Sequence, residues 1–119
     1  MNNIIFTLNF ERDLKRLVKK YPPFRKDMAE LVASLKENAL QGSEPFPNVR
    51  KIRLSITGKS RGKSGGARVI IYVRIEKEQV YCLYLYDKAE ISDIPDHEIK
   101  DFVKELLAYF ESEDDEKQE

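Results

Sequence analysis

Apolar positions along this chain switch between two periods. Ile4 to Leu8 (IIFTL) is β-branched and aromatic, the composition of a short strand. Asn9 is a suitable N-cap for a helix beginning at Phe10. Phe10, Leu14, Leu17, Val18 and Tyr21 then recur at helical spacing until Pro22-Pro23 stops them. Phe24, Met28, Leu31, Val32, Leu35 and Ala39 form a second helical stripe that ends near Gln41-Gly42. Gly42 to Pro47 is predicted as a loop. Beyond it the period falls to two. Val49 to Leu54 sets Ile52 and Leu54 against Lys51 and Arg53 on the opposite face. Ala67 to Ile75 sets Val69, Ile71, Val73 and Ile75 against Arg68, Ile70, Tyr72 and Arg74. After a polar turn over Glu76 to Gln79, Val80 to Asp87 sets Leu83 and Leu85 against Cys82, Tyr84 and Tyr86. Pro95 opens a last helix with the stripe Ile99, Phe102, Val103, Leu106 and Phe110.

The order β-α-α-β-β-β-α, with three consecutive strands on short connections, predicts an α+β domain. A small antiparallel sheet should pack on the helical hairpin and the C-terminal helix, with helices covering one face. With 119 residues, the chain is expected to form a single domain over residues 1–110. Residues 111–119, ESEDDEKQE, are expected to be a disordered acidic tail. No internal repeat, secretory signal or membrane-spanning apolar run is visible. Cys82 is the only cysteine, which excludes an internal disulfide and fits a cytoplasmic location.

A net charge of zero conceals an uneven distribution. Residues 1–49 carry eight basic and six acidic side chains, net +2. Residues 50–86 carry nine basic and two acidic, net +7, with no acid between Arg50 and Arg74. Residues 87–119 carry four basic and thirteen acidic, net −9. The basic middle calls for a polyanionic partner. The acidic end is expected either to repel nucleic acid locally or to fold back on the basic region.

The glycine-rich stretch GKSRGKSGG, residues 58–66, looks at first like a nucleotide-binding P-loop. Its first two glycines are one residue too close for G-x-x-x-x-G-K-[ST], and a strand rather than a helix comes after it. Backbone amides therefore do not converge on a phosphate at a helix N-terminus. The better reading is a cationic hairpin loop in which Lys59, Arg61 and Lys63 alternate with small residues and contact RNA. If the apolar face of each strand packs on the helices, Lys51, Arg53, Arg68, Tyr72, Arg74, Tyr84 and Tyr86 share the opposite, open face. Cations there would neutralise phosphates and tyrosine rings would stack on bases, an arrangement suited to single-stranded RNA. Arg68 on an open face would be removable without loss of folding.

The segments VRKIRL, GARVIIYV and VYCLYLYDKAE together resemble the RelE/ParE superfamily of bacterial toxins. GKSRGKSGGARVI and YDKAE resemble its HigB-like branch more closely. The resemblance runs from Ile4 to about Phe110 and implies a RelE-like fold. It also implies a type II toxin–antitoxin toxin that enters the ribosomal A site and cleaves mRNA. The chemistry implied is attack by the RNA's own 2′-hydroxyl, with no metal or other cofactor. By position, Lys51 and Arg53 match the family's strand-borne lysine pair, and Arg68 matches the arginine of the next strand. Lys88, beside Asp87, matches a basic group after the last strand. The family's tyrosine falls where this chain has Ile91-Ser92-Asp93, so Tyr84 or Tyr86 would have to replace it. Arg53 is suited to clamping charge rather than to acting as a base. Lys51 among other cations is the expected general base. Partners implied are the ribosome, mRNA and an antitoxin, a small helix-turn-helix DNA-binding protein encoded adjacently.

Two other functions fit the same chain: a ParE-type toxin acting on DNA gyrase, and a non-catalytic RNA- or ribosome-binding module. His97, the only histidine, lies among solvated acids, and neither it nor Cys82 supports a metal site or a nucleophilic triad.

Overall fold

The structure is a computed structural model that describes residues 1–59 and 65–118, with side chains as far as Glu113. The elements are β1 (Asn3–Phe6), α1 (Leu8–Lys20), α2 (Phe24–Glu37), β2 (Ser43–Phe46), β3 (Val49–Leu54), β4 (Ala67–Arg74), β5 (Gln79–Asp87) and α3 (Asp96–Gln118). They form one five-stranded sheet in the order β1-β5-β4-β3-β2. β1 runs parallel to β5 and the other pairs are antiparallel, so the sheet is mixed.

Thr7, not Asn9, caps α1. Its hydroxyl accepts from the Phe10 amide at 3.2 Å and donates to the Cys82 carbonyl at 2.9 Å, fixing the helix start to the sheet. Asn9 instead donates its side-chain amide to the Leu83 carbonyl at 2.8 Å. Leu83 is the extra residue of a β-bulge: Ile71 faces Cys82 and Ile70 faces Tyr84, so Leu83 has no partner across the ladder. Asn9 thus satisfies a backbone group that the bulge leaves open. The bulge also reverses the facing of β5 beyond it. Cys82 and Leu85 share the α1–α2 side, whereas Leu83 and Tyr86 face α3, which corrects the strict alternation expected for this strand.

The segment predicted as a loop contains β2. Pro45 and Pro47 argue against a strand, but β2 is an edge strand, where missing ladder donors are tolerated. Gly42, at φ +73°, leads into it. A Cβ there would lie 2.2 Å from the Lys51 carbonyl oxygen, so only glycine lets β2 close on β3.

Helices cover both faces of the sheet, not one. Ile52, Val69, Ile71, Val73, Val80 and Cys82 pack on Phe10 and Leu17 of α1 and on Phe24, Met28, Leu31 and Leu35 of α2. Ile70, Tyr72, Tyr81, Leu83 and Tyr86 pack on Ile99, Leu106 and Phe110 of α3. The open face expected for Arg68, Tyr72, Arg74, Tyr84 and Tyr86 is therefore largely covered. The hairpin already fills one side, and the stripe of α3 has only the other on which to bury itself. Every residue of β4 is buried, as its apolar run VIIYV requires.

α3 continues through the residues expected as a disordered tail, ending at Gln118. Among the described residues, this end of α3 is anchored by charge as well as by apolar packing. Glu113 approaches Arg74 at 3.5 Å and accepts from the Tyr109 hydroxyl at 3.0 Å. The Arg74 guanidinium also stacks 3.9 Å from the centre of the Phe110 ring. Phe110 holds this end of α3 on Tyr72 and Tyr81. Phe110→Ala should lower the unfolding free energy by about 3–4 kcal/mol, measured by urea denaturation. A loss below about 1 kcal/mol would mean that α3 contributes little to the core.

Candidate active site

The register of the central strands sets out the site. Arg53 of β3 lies opposite Arg68 of β4, and Arg68 lies opposite Tyr86 of β5, so three strands carry the three residues in one row. Lys51 is two pairs further along β3, opposite Ile70 and on the same face as Arg53. Like charges directly opposite one another destabilise a sheet. Arg53 and Arg68 bear that cost, and a bound phosphate would offset it.

These residues border a cavity of about 290 Å³ lined by Ser43, Lys51, Arg53, Arg68, Tyr86, Lys88 and Asp93. Five of the six residues expected to carry chemistry are thereby brought together: Lys51, Arg53, Arg68, Tyr86 and Lys88. Arg53 is exposed, and its side chain makes no ion pair or hydrogen bond among the described residues. Arg68 is only 6% exposed and donates to the Ala67 carbonyl at 3.2 Å. It presents its guanidinium from within the sheet, so its removal is not the neutral change expected of a residue on an open face. Lys88 donates to the Ser92 carbonyl, closing the turn after β5.

Asp93 organises the anionic side of the cavity. One oxygen, Oδ1, accepts from Lys51 Nζ at 2.8 Å and from the Tyr86 hydroxyl at 3.0 Å. The Lys51 hydrogen bond holds the Asp93 carboxyl below its ordinary 3.8, outweighing partial burial, with Tyr86 and the Ile94 amide assisting. Burial, then the hydrogen bond to Asp93 and its charge, pushes the Tyr86 phenol up to about 12. Tyr86 is consequently a donor at neutral pH.

The remaining predicted residues lie elsewhere. Tyr84 is half-buried, with its ring edge-on to Phe102 of α3 at 5.4 Å, and does not line the cavity. Tyr72 is buried under α3. Arg74 is 6% exposed and six residues from Arg68, roughly 20 Å along the strand. Lys59, expected to contact RNA, is committed to Asp87, reaching its two oxygens at 2.8 and 3.0 Å. Arg61 and Lys63 lie outside the described residues. Burial pushes the Cys82 thiol up to about 12, so it is a packing residue rather than a nucleophile.

Sequence reasoning missed Ser43 and Asp93. Ser43 reaches the cavity because β2 pairs it with Lys51. Nothing in the spacing of Glu90, Asp93 and Asp96 distinguishes the acid that turns back to β3. Glu90 turns the other way, to Lys20 at 2.7 Å and Arg16 at 3.5 Å on α1. The acidic end does fold back on the basic region, among the described residues in three places: Asp87 with Lys59, Asp93 with Lys51 and Glu113 with Arg74.

A larger concavity, of about 920 Å³, lies along the α1–α2 hairpin, lined by Leu14, Val18, Met28 and Val32 with Lys15, Lys19 and Arg25. It holds none of the residues brought together at the sheet end, and its walls are mainly aliphatic. The smaller, polar cavity is where five of the residues expected to carry chemistry converge.

The fold is thus an α+β domain with arginines, lysines and a tyrosine gathered at one end of a mixed sheet. Residues 12–118 match the family described as RelE toxin of the RelE/RelB toxin–antitoxin system, and the chain belongs to that family. It is thus a toxin of a toxin–antitoxin system, and the family implies a cognate antitoxin as its partner. The isolated E. coli RelE toxin is similar in fold, with a TM-score of 0.53 at 19% identity over 89% of this chain and 99% of that one. A double arginine-to-alanine mutant of E. coli RelE in the free state gives a TM-score of 0.53 at 20% identity, over 76% of this chain and 87% of that one.

Asp87 ties the site to stability. It is 1% exposed. Burial alone would raise its pKa, but the Lys59 hydrogen bond and the Ala89 amide hold it below 3.8. A depressed carboxylate stabilises the fold above the unfolded pKa and ceases to do so as pH falls through the folded one. Lys59→Met should therefore cost about 3 kcal/mol at neutral pH, with the deficit shrinking as acidification carries pH from the raised pKa of the unpaired carboxyl in the variant down through the depressed one in the wild type. Urea midpoints of both proteins at several pH values would show this, and a deficit independent of pH would contradict it.

Proposed function

We propose that this toxin is an endoribonuclease that cleaves mRNA in the ribosomal A site. The observation carrying this reading is the convergence of Lys51, Arg53, Arg68 and Lys88 with Tyr86 on one cavity. In-line attack by a 2′-hydroxyl builds negative charge on the phosphorane oxygens. Fixed cations in a partly desolvated cleft stabilise that charge more in the transition state than in the ground state. Arg53 and Arg68 offer planar forks suited to two phosphate oxygens, with the lysines as point charges beside them. Dependence on a 2′-hydroxyl would restrict the reaction to RNA. Family membership supports the ribosome as the setting and translation as the process inhibited. The same membership supports an antitoxin encoded adjacently, proposed to be a small helix-turn-helix protein, and action in the cytoplasm.

Induction in a bacterial host and primer extension on a reporter mRNA test this reading. Wild-type protein should produce cuts within translated codons. Arg53→Ala should fold normally, since Arg53 is exposed, and should reduce cutting by about 100-fold. Growth arrest with intact mRNA would instead favour action on DNA gyrase.

A further inference from the structure

The cavity has an excess of acids and donors and a shortage of bases. Arg53 and Arg68 carry donors and no acceptor, and the same holds for the ammonium groups of Lys51 and Lys88. Lys51, expected as the base, is engaged as a donor to Asp93. Tyr86 keeps its proton, as shown by the bond it gives to the same carboxylate. Ser43 is a neutral hydroxyl. Of the seven described residues lining the cavity, only Asp93 carries an unshared pair on an ionised oxygen.

The hydrogen bonding of that carboxylate is one-sided. Lys51 Nζ at 2.8 Å, the Tyr86 hydroxyl at 3.0 Å and the Ile94 amide at 2.9 Å all donate to Oδ1. Among the described residues, no donor reaches Oδ2. Three donors from β3, β5 and the chain leading to α3 therefore fix the orientation of a carboxylate whose second oxygen is uncommitted among the described residues.

We infer that Asp93 is the general base, its Oδ2 taking the proton from the attacking 2′-hydroxyl. This deepens the endoribonuclease reading and rests on it. As the O2′–P bond forms, the 2′-hydroxyl proton passes to Oδ2. The 5′-oxygen leaves with the electron pair of the P–O5′ bond and takes a proton from water, and Asp93 returns its own to solvent. The products are a 2′,3′-cyclic phosphate and a 5′-hydroxyl. A carboxylate is a weak base towards an alcohol, so transfer accompanies bond formation, when Arg53 and Arg68 stabilise the charge that makes the proton acidic. Lys51, shared between Asp93 and the incoming phosphate, couples the two parts of the site.

The test uses purified full-length protein with mRNA-programmed ribosomes, measuring single-turnover cleavage and affinity for the programmed ribosome. Asp93→Asn is made alone and with Lys51→Met, and melting temperatures are measured for all variants. Asp93→Asn should cut at least about 100-fold more slowly, bind as tightly as wild type or more tightly, and cause a similar further loss beside Lys51→Met. No further loss in the Lys51→Met background would overturn the inference, because Asp93 would then act only by positioning Lys51. Cleavage within a few-fold of wild type with tighter binding would also overturn it, leaving Asp93 a counter-ion that RNA displaces. Wild-type protein that leaves mRNA intact would overturn the nuclease reading itself, and the inference with it.

Discussion

β4 lies at the centre of the sheet with none of its residues exposed, and both helical layers are built against it. One side receives Val69, Ile71 and Val73 against α1 and α2, the other Ile70 and Tyr72 against α3. This two-sided burial fixes the register on either side, since a slip of one residue would exchange the two faces. Register in turn places Arg53, Arg68 and Tyr86 in one row. The site is therefore a consequence of the core: a guanidinium at the end of a buried strand, with its neighbours set by hydrogen-bonded pairing.

The site keeps an arrangement that stability alone would not favour. Two arginines face one another across β3 and β4. Among the described residues, the acids after β5 pair with other cations: Asp87 with Lys59, Glu90 with Lys20 and Arg16 of α1, and Asp93 with Lys51. Asp87 and Glu90 tie down the chain on either side of Lys88, and Asp93 closes the turn onto β3. The acidic character of residues 87–93 thus shapes the cationic cavity, with one carboxylate retained inside it.

Much of this was legible in sequence. The two helical stripes, the strands of the sheet centre and the basic stretch from Arg50 to Arg74 emerge from periodicity and charge. The resemblance to RelE/ParE toxins located Lys51, Arg53, Arg68 and Lys88. What alternation could not show was the bulge at Leu83, because an extra residue leaves the composition unchanged while reversing the faces beyond it. The second helical layer was misjudged because Arg68, Tyr72 and Arg74 mark their face as polar. Tyr72 and Arg74 in fact bury rings and stems against Phe110. β2 escaped notice because Pro45 within it and Pro47 just after it imitate a loop. Asp93 escaped because the acid that meets Lys51 is chosen by the path of a turn, which local sequence does not specify.

The nature of the RNA ends after cleavage tests the central claim most directly. Mass spectrometry of fragments released from programmed ribosomes would identify them. The account predicts a 2′,3′-cyclic phosphate on the upstream fragment and a 5′-hydroxyl on the downstream one, with no cutting where the scissile nucleotide is 2′-deoxy. A 3′-hydroxyl with a 5′-phosphate, or cutting that persists at the deoxy position, would show that water rather than the RNA itself is the nucleophile and would contradict the account.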